Sequence, residues 1–101
     1  NIMAATVNLT ANGISDPFYY RSAESSFGFY GDFDGGSLTI EASFDDGTIV
    51  DGSNWMPLKK QDGTILTITS PEVHTISIGK CSLRYILAGG GSPDIKITIR
   101  D

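Results

Sequence analysis

The stretch Phe27-Gly28-Phe29-Tyr30-Gly31-Asp32-Phe33-Asp34-Gly35-Gly36-Ser37-Leu38-Thr39-Ile40-Glu41-Ala42-Ser43-Phe44 decides the fold. On either side of Gly35-Gly36 every second residue is apolar or glycine, and Tyr30, Asp32, Thr39, Glu41 and Ser43 fall between them. That period of two belongs to a strand with one packed face and one wet face. A two-residue turn at Gly35-Gly36, where glycine tolerates positive φ, predicts a hairpin. It sets Phe33 opposite Leu38, Gly31 opposite Ile40, Phe29 opposite Ala42 and Phe27 opposite Phe44. A slip of one residue would turn the whole set to the wrong face.

Other turn signals repeat the pattern. Gly79-Lys80 suits a turn with glycine in the first central position, placing Ile78 against Cys81, Ile76 against Leu83 and His74 against Tyr85. A three-residue loop Gln61-Asp62-Gly63 sets Leu58 opposite Leu66 and Met56 opposite Ile68, whereas a two-residue turn would set Leu58 against Thr67. Asp46-Gly47 is a fourth turn signal, closing Phe44 onto Ile49 before Asp51-Gly52-Ser53-Asn54. At the ends, Ala5, Val7 and Leu9 alternate with Thr6, Asn8 and Thr10, and Ile95, Ile97 and Ile99 alternate with Lys96, Thr98 and Arg100. Both runs read as half-buried strands. The expectation is all-β: a single-domain antiparallel β-sandwich over residues 1–101, of about eight strands, either jelly-roll or immunoglobulin-like in topology.

The chain has 101 residues and 40% apolar composition, enough for one core without a disulfide. Its one cysteine, Cys81, falls on a predicted inward face and reads as a small hydrophobe. No run approaches a membrane span and no charged-then-apolar leader precedes the first strand, so a soluble chain with no membrane partner is expected. The net charge of −5 is uneven: residues 1–50 hold seven acids against Arg21, and residues 51–101 hold five acids against six bases. With Lys59-Lys60 as the only adjacent basic pair, nucleic acid is not an expected partner. Opposite charge on different surfaces suits head-to-tail packing of copies.

Catalytic chemistry finds little support. His74 is the only histidine, and in the predicted hairpin it stands roughly 13 Å from Cys81, beyond hydrogen-bond reach. No nucleophile-elbow sequence accompanies the serines. The chain is expected not to be an enzyme and to need no cofactor. Asp32, Asp34, Asp45 and Asp46 are weak calcium candidates, because carboxylates cluster at two turns; their ordinary role is to cap turn backbone. Asn8-Leu9-Thr10 matches the glycosylation pattern, which in a chain without a leader is put down to chance. Exposed aromatics are the remaining lead. Phe18, Tyr19, Tyr20, Tyr30 and Trp55 are candidate binding residues, since aromatic rings on a sheet face serve protein interfaces or stack on sugars.

The segment Gly36-Ser37-Leu38-Thr39-Ile40-Glu41-Ala42-Ser43-Phe44-Asp45-Asp46-Gly47-Thr48, taken with Trp55-Met56-Pro57-Leu58, resembles a family of small bacteriophage virion proteins. Those carry a strand G-x-L-x-I/L-E-x-S, an Asp-Gly turn, then Thr-Trp and a short apolar strand; here residues 49–54 separate Thr48 from Trp55. Ser82-Leu83-Arg84-Tyr85-Ile86-Leu87, the loop Gly89–Pro93 and the closing Ile95-Lys96-Ile97-Thr98-Ile99 are similar to that family's later features. The resemblance implies a non-enzymatic structural or accessory protein of the virion, a capsid decoration, cement or head-tail component. Its partners would be other virion proteins or copies of itself, as a homo-oligomer. A carbohydrate-binding module of sandwich fold is the alternative.

Overall fold

A computed structural model describes residues 4–44 and 54–101. Among them are nine strands: β1 (Ala4–Leu9), β2 (Gly13–Ile14), β3 (Phe18–Tyr20), β4 (Glu24–Asp32), β5 (Ser37–Ser43), β6 (Met56–Pro57), β7 (Glu72–Ser77), β8 (Cys81–Ala88) and β9 (Asp94–Arg100). One rule generates most of their pairing. β1 pairs with β9, β2 and β3 with β8, β4 with β7, and β5 with β6, all antiparallel. Partners such as 4 and 100, 13 and 87, 24 and 77, and 41 and 57 share a midpoint at about residue 50. The described strands therefore pair as one long two-stranded ribbon.

Wrapping that ribbon brings β9 against β4 and β5 against β8. The result is two packed sheets, β1-β9-β4-β7 and β2/β3-β8-β5-β6. Taking β2 and β3 as one interrupted strand, this is the order of a jelly roll. The interruption has a local cause. Ser15 exchanges bonds with Tyr85, its N–H donating to the Tyr85 carbonyl and its Oγ accepting from the Tyr85 N–H, both at 2.8 Å. Pro17 then has no N–H to give, and the register shifts by one residue between Ile14–Ile86 and Phe18–Leu83.

The inward faces are those the alternation selects. Phe27, Phe29, Phe33, Leu38, Ile40, Ala42, Ile76, Leu83, Tyr85, Ile95, Ile97 and Ile99 are buried in one core, and each large side chain contributes roughly 1.5–3 kcal/mol of transfer free energy. β1 is less covered than expected, with Val7 39% exposed, because it is an edge strand.

Two expected hairpins are absent. β4 and β5 belong to different sheets, and so do β7 and β8; Phe29 lies beside Ile97 instead of Ala42, and Phe27 beside Ile99 instead of Phe44. The bends at Asp34-Gly35 and Gly79-Lys80 are corners that carry the ribbon from one sheet to the other. Two strands facing each other across a core bury the same residues as two strands side by side, so alternation cannot distinguish them. The first bend also sits one residue early: Gly36 N–H donates to the Phe33 carbonyl at 2.7 Å, with Asp34 and Gly35 at φ 46° and 83°. Phe44, beyond the end of β5, is 56% exposed.

The three-residue loop is present as read. Lys60 N–H donates to the Thr64 carbonyl at 2.8 Å, Leu66 N–H to Leu58 at 3.0 Å, and Gly63 takes φ 88°. Its outer rungs diverge, since Met56 pairs with Ala42 and Ile68 bridges Leu38 along the edge of β5. The turn read at Asp46-Gly47, with Ile49 and Val50, lies outside the described residues.

Candidate functional site

The five aromatic candidates are not gathered in one place. Tyr20 is fully buried, and its hydroxyl donates to Ser25 Oγ at 2.9 Å, which corrects its reading as a surface residue; pairing with Cys81 turns it inward. Burial pushes its phenol up from the usual range. Phe18 is half-buried and packs on Tyr85 with ring centroids 5.6 Å apart. Tyr19, one residue on, points to the outer face beside Ser82, with Arg21 at 6.0 Å from its ring. Tyr30 is on the outside of the other sheet, 44% exposed. Its ring atoms stand 3.1 Å from where a Cβ on Gly28 would be, so the ring covers the side-chain-free position beneath it.

Trp55 directly precedes β6, which joins β5, and the Arg84 guanidinium carbon sits 4.3 Å from the Trp55 ring centroid. Arg84 is also held by Glu41, its cross-strand partner, through Nε at 2.9 Å and a second nitrogen at 2.7 Å. Ring, cation and carboxylate form a stacked, half-buried group on the outer face of β5 and β8. Both side chains alternate with buried neighbours along their strands, and the pairing of β5 with β8 joins them.

The more suggestive surfaces lie where the sheets end. On one side, a groove of about 900 Å³ opens between the β7 edge and the β6 edge. Phe44, Met56 and Ile65, which are 56%, 63% and 45% exposed, line it with Leu58, Ile76 and Ile78. Lys59, Lys60 and His74 also line it, and no described lining residue is a carboxylate. On the opposite side, a smaller groove of about 410 Å³ lies between β1 and β3, lined by Val7, Phe18, Ile97 and Asp16 among others.

Asp32 and Asp34 act as turn caps. Asp32 Oδ1 accepts the Asp34 N–H at 2.9 Å, and Asp34 Oδ2 accepts the Ser92 N–H at 2.6 Å. No group of three His, Cys, Asp or Glu side chains suited to a metal is found among the described residues. Asp45 and Asp46 lie outside them. His74, expected against Tyr85, bonds Glu72 at 2.8 Å and meets Phe29 edge-on at 6.2 Å. It stands on a different sheet from Cys81, whose thiol burial pushes up to about 11.

The fold and these surfaces define the chain as an all-β, two-sheet sandwich. Beyond that class, no family model matches the chain, and no curated protein or solved structure matches it.

Proposed function

We propose that this protein is a non-enzymatic structural component that works through protein–protein contacts, and that its setting is a bacteriophage particle, as a capsid decoration or head-tail accessory. One observation carries the first half: exposed apolar side chains collect along one side of the sandwich, where Phe44, Met56 and Ile65 flank a groove between two strand edges that have no further partner among the described strands. An edge of this kind offers main-chain donors and acceptors together with apolar area, which a protein partner uses at once. The second half is supported by the likeness of residues 36–48, 55–58 and 82–99 to small virion proteins. Mass spectrometry and electron microscopy of purified parent particles test it. Stoichiometric presence of the chain with density at a repeated position is expected, and its absence from purified particles contradicts it.

Carbohydrate binding, the alternative, draws on Tyr19 and Trp55, which share the outer face of one sheet. One face of the Trp55 ring is already occupied by Arg84. Saturable binding in a titration with cell-wall polysaccharide would favour this reading over the first.

A further inference from the structure

The geometry points to a second copy of this chain as the occupant of the groove between β7 and β6, docked head to tail by its own β1/β3 side. This inference rests on the protein-contact reading above and says which partner and which surfaces.

The first argument is strand direction. Among the described residues each sheet is four strands wide and antiparallel throughout, β2 and β3 counting as one. Its two edges therefore run in opposite directions. A copy displaced sideways presents β1 to β7 and β3 to β6, antiparallel in both sheets. β1 and β7 are each six residues long, so neither leaves a long unpaired overhang. Neither β1 nor β7 has a partner on its outer edge among the described strands. β1, Ala-Ala-Thr-Val-Asn-Leu, also carries no charge and no proline, the usual devices that keep an edge from pairing.

The second argument is charge. The β7/β6 groove has Lys59, Lys60 and His74 on its described lining, with His74 held by Glu72. The β1/β3 groove has Asp16 as its one charged lining residue. The Lys59 and Lys60 ammonium groups along one groove and the Asp16 carboxylate in the other make the two sides complementary to each other, while two β7/β6 sides brought together would set lysine against lysine. The third is apolar area: Val7 on the docking side and Met56 and Ile65 on the receiving side are all exposed in the single chain. Because the two sides differ, the contact is heterologous and generates a ring or a filament.

The test uses sedimentation velocity and light scattering on the whole chain, from micromolar to millimolar concentration. The parent protein should exceed its monomer mass of 10.8 kDa progressively as concentration rises. Val7→Lys should block the docking side and Ile65→Glu the receiving side. Both residues are exposed in the monomer, and circular dichroism checks that each variant folds. Each variant alone should remain a monomer, and an equimolar mixture should form a dimer through its one intact pair of surfaces. A parent chain that stays monomeric throughout overturns the inference and leaves the protein-contact reading to the particle experiment. Assembly unaffected by either substitution, or a mixture that does not recover the dimer, overturns it as well.

Discussion

Two bends in this molecule look alike in sequence and do opposite things. Asp34-Gly35 and Gln61-Asp62-Gly63 both end strands of alternating apolar residues, and both glycines have positive φ, 83° and 88°. The bend at Gly63 returns the chain along the edge of one sheet, and Lys60 and Thr64 on either side are exposed. The bend at Gly35 hands the chain to the other sheet, and Phe33 just before it is 4% exposed. Turn chemistry specifies that the chain reverses; it does not say which strand will be its neighbour. The residue that leads into this corner is part of the core, whereas the residues flanking the hairpin tip are part of the surface.

The sharpest way to break this comparison is Gly31→Ala. In a β4–β5 hairpin, Gly31 would face Ile40 with room for a methyl group. In the observed pairing its φ is 102° and an added Cβ would stand 2.2 Å from the Asp94 carbonyl oxygen of β9. Urea denaturation should show a loss of about 3 kcal/mol or more, or no folded protein; a loss under about 1 kcal/mol would favour the hairpin.

Alkaline pH probes the other corner. Cys81, two residues past Gly79, is already fully buried, and its thiol pKa is raised from 9.0 to about 11 by desolvation. The folded state keeps this proton after the unfolded chain has lost it, so the contribution is intact below pH 9 and declines as pH rises towards about 11. Each pKa unit is about 1.4 kcal/mol, so the thiol alone should remove on the order of 2–3 kcal/mol. Tyr85, buried on the same strand with its phenol also pushed up, adds to the fall. Denaturation midpoints at pH 8 through 11 check this, and Cys81→Ala should flatten the first part of the curve.

A smaller effect sharpens the contrast. Gly35→Ala and Gly63→Ala each place a methyl group at positive φ with no atom closer than 3.9 Å, so each should cost roughly 1–2 kcal/mol. Stopped-flow kinetics should separate them. The corner is held against a sequence-distant loop, with the Gly91 N–H donating to the Asp34 carbonyl at 3.1 Å, and should act mainly on the unfolding rate, while the local hairpin should act on folding. The smallest effect is Arg84→Met, about 0.5–1 kcal/mol, with a shift in the emission of Trp55, the single tryptophan. An unchanged spectrum would contradict the stacking on Trp55.

Faces were legible in the sequence and neighbours were not. Phe27, Phe29, Leu38, Ile40, Ile97 and Ile99 could be assigned to the core because inside and outside differ chemically. The pairing of Tyr30 with Lys96, or Glu41 with Arg84, is made by backbone groups that every residue shares, so local alternation is blind to it. The same blindness hid the candidate surface. Phe44, Met56 and Ile65 read as inward or unremarkable residues, and become an apolar groove only when β6 and β7 end their sheets on the same side. Tyr20 was misplaced because three consecutive aromatics do not reveal which ring the register turns inward.

Cross-linking tests the wrapping of the ribbon into two sheets most directly. In a Cys81→Ala background, one protein carries Tyr30→Cys with Lys96→Cys, partners in the observed sheet. Another carries Tyr30→Cys with Glu41→Cys, partners in the hairpin alternative. Adjacent antiparallel residues have Cα atoms about 4.5–5.5 Å apart, inside the roughly 4.4–6.8 Å span of a disulfide. Outward positions on two sheets packed about 10 Å apart cannot meet. Mild oxidation should close the first pair within the monomer and leave the second reduced; closure of the second and not the first would contradict the fold described here.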